Sequence, residues 1–193
     1  MTDLNAELAD ARNVLLAAPS MSGGEAEACT DLLIPSTPGN ANALWVTFRG
    51  DASDCVGQWA AETDDQPAHA AVVVVGDAPG PQPDGVTVEH VSSPSDLTGL
   101  GITIGEILGE WDASPVVCVD SLTAMLQYVE LQTAYEFLHA ITGQLYAADA
   151  RAHFHIDPTA HDDMTVDSIA SLFDAIVEFG AGDPTIRKRH LIK

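Results

Sequence analysis

NVLLAAPSMSGGEAEACTDLL, from Asn13 to Leu33, opens with an apolar run, Val14-Leu15-Leu16-Ala17. A loop of small residues follows, and a helical pattern begins near Glu25. Strand, loop and helix in that order are the setting of a phosphate-binding P-loop, whose pattern is Gly, four residues, Gly, Lys, then Ser or Thr. Here the first Gly falls on Ala18 and the second on Gly23, while Gly24 holds the Lys position and Glu25 the hydroxyl position. The frame of a nucleotide site is present without the cation or the metal-binding hydroxyl. This points away from ATP hydrolysis.

The rest of the chain repeats the alternation. Strands are expected at Val14–Ala17, Ala43–Phe48, Ala71–Val75, Val86–Val91, Val116–Val119, Ala152–Ile156 and Ala175–Phe179. Helices are expected near Glu25–Leu33, Ser53–Glu62, Ser95–Trp111, Leu122–Ala147 and Thr165–Phe173. Ser53/Asp54 and Ser95/Asp96 are read as helix caps. The continuous runs Val72–Val75 and Val116–Val119 suit strands covered on both faces, as in a parallel sheet. Strands alternating with helices imply a doubly wound α/β fold. GDAPGPQPDG, Gly76–Gly85, is an exposed loop. GAGDP, Gly180–Pro184, breaks the chain before TIRKRHLIK, expected as an antiparallel edge strand. A leader over 1–12 and a single domain over 13–193 complete the organisation.

Composition bounds the function. The chain has 193 residues, 46% of them hydrophobic, enough for one domain with a real core. It carries 29 acidic against 7 basic residues, a net charge of -22, with Asp outnumbering Glu 19 to 10. The acids are scattered, as DASD, ETDD and HDD, which favours a solvating coat for concentrated salt over an acidic partner mimic or a cation-binding protein. With no basic stripe, nucleic acid is not an expected partner. Arg187, Lys188, Arg189 and Lys193 gather at the end, to pair with the acidic body or to form a docking edge. Cys29, Cys55 and Cys118 are read as buried reduced thiols, without a CxxC pair. MTDLNAELADARN lacks the plan of a signal peptide, and no apolar run reaches membrane-span length. The expectation is a soluble, cytoplasmic protein without membrane partners.

A second landmark is PVVCVDSL, Pro115–Leu122. An apolar strand ending in Asp120 has the form of a Walker B strand, whose Asp lies near magnesium. With the Ala18–Glu25 loop, LWVTF at Leu44–Phe48, DSLT at Asp120–Thr123 and the closing Asp174–Lys193 segment, the chain resembles the RecA/KaiC superfamily of P-loop ATPases over roughly Asn13 to Lys193. DLTGLGI, LTAMLQYVE, FLHAITGQL and HFHIDPTAHDD resemble an uncharacterised haloarchaeal family of such domains. The resemblance implies a mostly parallel sheet with helices on both faces and an antiparallel C-terminal edge. It also implies a vestigial nucleotide site at Ser20, Ser22, Gly23, Gly24 and Asp120, and subunits that oligomerise or bind a protein partner.

Active KaiC-like domains carry paired glutamates after the strand that here reads LWVTF. This chain continues Arg49-Gly50-Asp51, so the expected base is missing. A phosphate-contacting Lys supplies about 1.5–3 kcal/mol per hydrogen bond. Glu25 would instead repel phosphate by about 4 kcal/mol at 4 Å separation in a medium of dielectric near 20. No catalytic residues and no cofactor are expected, with ATP–magnesium at most a weak ligand, and Glu25 is read as capping its own helix end. The expected role is that of a pseudo-ATPase acting as a regulatory or scaffold protein. A nucleotide or anion sensor without turnover is the first alternative. The second is a metal-dependent enzyme. His153 and His155 share one strand face, and Asp157 and His161 follow, so the four present a donor set for zinc, manganese or iron. Structural hydrogen bonding by the same histidines is the preferred reading. Val14–Ala17 and Val116–Asp120 are expected as neighbouring central strands. Trp45, Phe48, Trp59, Trp111, Met125, Phe137 and Phe173 are read as packing.

Overall fold

The protein is described by a computed structural model covering residues 4–20, 24–76 and 78–189. In chain order the strands are β1 Asn13–Ala17, β2 Asn42–Thr47, β3 His69–Val75, β4 Val86–Val91, β5 Pro115–Asp120, β6 Arg151–Ile156, β7 Ala175–Glu178 and β8 Thr185–Lys188. The helices are α1 Leu4–Glu7, α2 Gly24–Leu33, α3 Ala52–Glu62, α4 Leu97–Glu110, α5 Leu122–Met125, α6 Leu131–Ala147 and α7 Asp163–Ala170. All eight strands form one sheet in the order β4-β3-β2-β5-β6-β1-β7-β8, parallel except for the β7–β8 pair.

The near-continuous apolar strands are explained by cover on both sides. Alternate residues such as Leu15, Val46, Val73, Val119 and Phe154 pack under α4 to α7. Their neighbours Val14, Leu16, Trp45, Val72 and Cys118 pack under α1 to α3. A period of two therefore feeds two cores from one strand. Leu4, Leu8 and Ala11 are buried in the second core, so the described part of the leader packs with the domain.

Three local expectations are corrected. First, β1 and β5 are not neighbours: β6 lies between them and pairs in parallel with both. Because all three run the same way, their carboxyl ends still open on one edge. Second, the helix expected over Leu122–Ala147 is two helices. α5 closes on Leu126, Tyr128 N–H bonds back to the Met125 carbonyl, and Glu130 is extended before α6 begins. Third, α3 is capped by Asp51 rather than Ser53 or Asp54. Asp51 Oδ1 accepts from the Asp54 amide at 3.0 Å, and Asp54 accepts in return from the Asp51 amide, a capping box. Asp96 caps α4 as read from the sequence.

At the far edge, β8 returns antiparallel on β7, with Arg187 paired to Glu178 at 2.5 Å and Arg189 bonded to the Ser171 carbonyl. Two of the C-terminal basic groups are thus held by the body of the protein, and Lys193 lies outside the described residues. The loop between β3 and β4 turns on Gly76, Gly80 and Gly85, all at positive φ, where a Cβ would be strained.

Candidate functional site

Parallel strands present their carboxyl ends together, and open α/β sheets bind ligands there. In this protein that edge holds a crevice of about 280 Å³ lined by Ser20, Glu25, Arg49, Thr123, His155 and Asp157. The loop from β1 enters it from one side and the start of α5 from the other. Of the residues read as a vestigial nucleotide site, Ser20 lines the crevice, Gly24 begins α2 and Asp120 ends β5. Ser22 and Gly23 lie outside the described residues.

Gly24 is closely overlooked. A Cβ added there would lie 3.2 Å from the Phe179 ring, so a side chain at Gly24 would need that ring to give by a few tenths of an ångström. Glu25 does not simply cap α2: its Oε1 lies 2.5 Å from His155 Nδ1, with the carboxylate only 22% exposed. Arg49, at the position where a catalytic Glu was sought, sends Nη2 to Asp120 Oδ1 at 2.5 Å. Asp51 is committed to its capping box. Glu25 and Asp120 are thus each engaged by a basic side chain of the protein itself.

The four residues read as a metal donor set are divided. Asp157 accepts from the Ser20 hydroxyl at 2.5 Å and amide at 3.1 Å, and from the amide and hydroxyl of Thr159. These bonds, led by the Ser20 hydroxyl, hold its carboxyl down at about 2. Its own amide donates to Thr123 Oγ1, which also meets His161 Nε2 at 3.1 Å. Asp157 and His161 thus fasten the β1, α5 and β6 ends to one another.

His153 and His155 lie beneath α2, 2% and 6% exposed, with His155 also meeting the crevice. There the structure joins them to two residues that sequence reading left as plain core thiols. Cys118 stands opposite His153 in the β5–β6 register, and Cys29 comes down from α2. Cys29 Sγ lies 3.8 Å from Cys118 Sγ and 3.2 Å from His153 Nε2, and Cys118 Sγ lies 3.5 Å from His155 Nε2. Gln58 Nε2 reaches Cys29 Sγ at 3.5 Å. The hydrogen bond with Cys118 holds the Cys29 thiol well below its usual range, against burial, while the same bond and burial push Cys118 well above it. For His155, burial disfavours the charged ring, yet the bonds to Cys29 and Glu25 prevail and raise it to about 10. Cys55 is pushed up to about 12, chiefly by burial and then by Asp120.

A sequence signal for this cluster existed in pieces. Glu25 and Cys29 are four apart, hence on one helix face, and His153 and His155 are two apart on one strand face. What joins them is the insertion of β6 beside β5, which no spacing announces.

Residues 11–179, which contain every residue of the crevice and the cluster, match a single protein family. The chain belongs to that family, DUF7504, a family of unknown function. Comparison with curated proteins finds no match. Among solved structures, the chain is similar to a Pyrococcus horikoshii OT3 protein from the structural study of project PH0250. The TM-score is 0.65 at 14% identity, over 94% of this chain and 88% of that one. Such a likeness shows the shared fold. Among the described residues, no helix is long and apolar enough to cross a membrane.

Proposed function

We propose that this DUF7504 chain is a non-catalytic regulatory or scaffold protein, built on a degenerate RecA/KaiC-like ATPase frame. The observation that carries the reading is that the two acids nearest the phosphate chemistry are engaged within the chain, Glu25 hydrogen-bonded to His155 and Asp120 paired with Arg49. Phosphoryl transfer needs a free cation on the phosphates, a carboxylate on magnesium and a group that orients the nucleophile. Here the acid that would hold magnesium is held by Arg49, an acid stands where the metal-binding hydroxyl belongs, and Phe179 crowds the lysine position.

Hydrolysis of ATP or GTP in magnesium and molar KCl is expected to equal background, in a phosphate-release assay on protein free of contaminating ATPase. Turnover that Asp120→Asn abolishes would overturn the reading. Saturable nucleotide binding without turnover would instead favour a sensor.

A scaffold needs a surface, and the reading places it on the helical face rather than at the crevice. A groove of about 690 Å³ runs between α4 and α6, with Ile102 58% exposed and Phe137 in its floor. Gly105 leaves room for the end of the Gln144 side chain, whose Nε2 a Cβ there would overlap. The groove's apolar lining is flanked by Glu106 and Glu136, and it is fitted to a second copy of the same chain once salt screens their repulsion. Sedimentation in molar KCl is expected to show a dimer or larger assembly that Ile102→Glu dissociates. A wild-type monomer at high protein concentration would remove self-association from the proposal.

A further inference from the structure

The cluster beneath α2 has donor chemistry that the regulatory reading does not use. Cys29, Cys118, His153 and His155 are all buried, and one donor atom from each lies within 4.8 Å of the others. We infer that these four side chains form a mononuclear structural zinc site, with Glu25 as the carboxylate that orients His155.

The donor geometry carries the inference. Tetrahedral zinc with bonds of about 2.3 Å to sulfur and 2.0–2.1 Å to nitrogen requires edges of about 3.8 Å between sulfurs, 3.6 Å from sulfur to nitrogen and 3.3 Å between nitrogens. Cys29 and Cys118 are 3.8 Å apart, and the two sulfur–nitrogen contacts are 3.2 and 3.5 Å. The remaining pairs lie inside the same 4.8 Å, within reach of small side-chain rotations. Two thiolates and two neutral imidazoles balance a divalent ion, and mixed sulfur–nitrogen tetrahedra select zinc. A two-iron cluster would set its cysteines and histidines on separate irons, whereas these four donors converge on one point.

The surroundings match what such an ion needs. His155 uses Nε2 toward the cluster and offers Nδ1 to Glu25 at 2.5 Å, the carboxylate–histidine arrangement that fixes a metal ligand's tautomer. Gln58 Nε2 approaches the Cys29 sulfur. Four protein donors fill a tetrahedron, and all four are buried, so no position is left for water or substrate. The site is therefore structural, and its place is between α2 and the β5–β6 pair at the centre of the sheet. It also gives Glu25, the residue least suited to a phosphate loop, a positive purpose.

Full-length protein, grown with zinc and purified in molar KCl under reducing conditions, is to be assayed for metal by mass spectrometry. One zinc per chain is expected. Cys29→Ser with Cys118→Ser should cut it at least tenfold, whereas Cys55→Ser should keep it. Chelation of the wild type should lower Tm by on the order of 10 °C, reversed by zinc and not by magnesium. Replacement by cobalt should give the intense visible spectrum of a tetrahedral thiolate site. Glu25→Ala should retain the stoichiometry at saturating zinc but weaken affinity about 10–100-fold. Folded wild-type protein with less than one-tenth of a zinc per chain, or with iron and labile sulfide, or with a Cys29–Cys118 disulfide, would overturn the inference. The wild-type measurements do not depend on the variants folding. The ATPase result does not depend on zinc either, so the two proposals fail separately.

Discussion

Lowering KCl from molar to millimolar concentration is expected to unfold most of this protein near room temperature. The reason is its net charge of -22, with only seven basic residues to offset the acids. A folded chain of this length has a radius of gyration of about 16 Å, and an unfolded one more than twice that. At 1 M salt the Debye length is roughly 3 Å, so carboxylates on opposite sides do not interact, whereas at 0.01 M it is about 30 Å and all of them do. Compacting the charge then costs on the order of 10 kcal/mol more at low salt than at high, which is comparable with the whole stability of a domain. The few ion pairs present do not alter this, since Arg12–Asp149 and Arg187–Glu178 are exposed and such pairs contribute about 0–1 kcal/mol each. Thermal melting followed by circular dichroism across the KCl range checks the point. Exchanging exposed Glu62, Asp64 and Glu110 for Lys should lower the salt required. A Tm that does not move with KCl would remove the halophilic reading altogether.

That charge was legible from composition because repulsion depends on sums. The strands were legible for a similar reason: Val72–Val75 and Val116–Val119 are buried on both faces, and apolar runs report exactly that local condition. The order of the strands is another matter. β6 sits between β1 and β5 because of how α5, α6 and their connections cross the sheet, and no residue of HFHI encodes its neighbours. The break between α5 and α6 carries neither Gly nor Pro, so the amphipathic pattern runs through it. Yet that break puts Thr123 where its hydroxyl meets both Asp157 and His161. The site suffered the same limit. That Gly24 and Glu25 offer neither a lysine nor a hydroxyl is visible residue by residue. That Glu25 pairs with His155, 130 positions away, and that Cys29 meets Cys118 and His153, is a consequence of topology. The HxHxD spacing suggested one donor set, and the end of the strand separates it: β6 stops at Ile156, so the two histidines turn under α2 while Asp157, already outside the strand, holds Ser20.

Phe154, between those histidines, turns to the opposite face, and its truncation is expected to be the most damaging single change in the core. It is fully buried at the centre of β6, packed edge-to-face on Phe173 with ring centroids 5.0 Å apart. Removing a buried phenyl costs about 3–5 kcal/mol through lost transfer energy and the cavity left behind, and the aromatic pair adds about 0.5–1.5 kcal/mol. For a chain of this size, Phe154→Ala should lower Tm by about 10 °C. Conservative replacement by Leu, which fills much of the space but forfeits the ring contact, should fall in between. The same variant separates stability from metal binding. Its cavity opens toward α6 and α7, while Cys29, Cys118, His153 and His155 lie across the sheet. In molar KCl, Phe154→Ala is therefore expected to melt early yet retain one zinc per chain, the reverse of Glu25→Ala, which should bind zinc more weakly with the core untouched. A Phe154→Ala protein as stable as the wild type would contradict the central position of β6, on which the crevice, the histidine cluster and the strand order all depend.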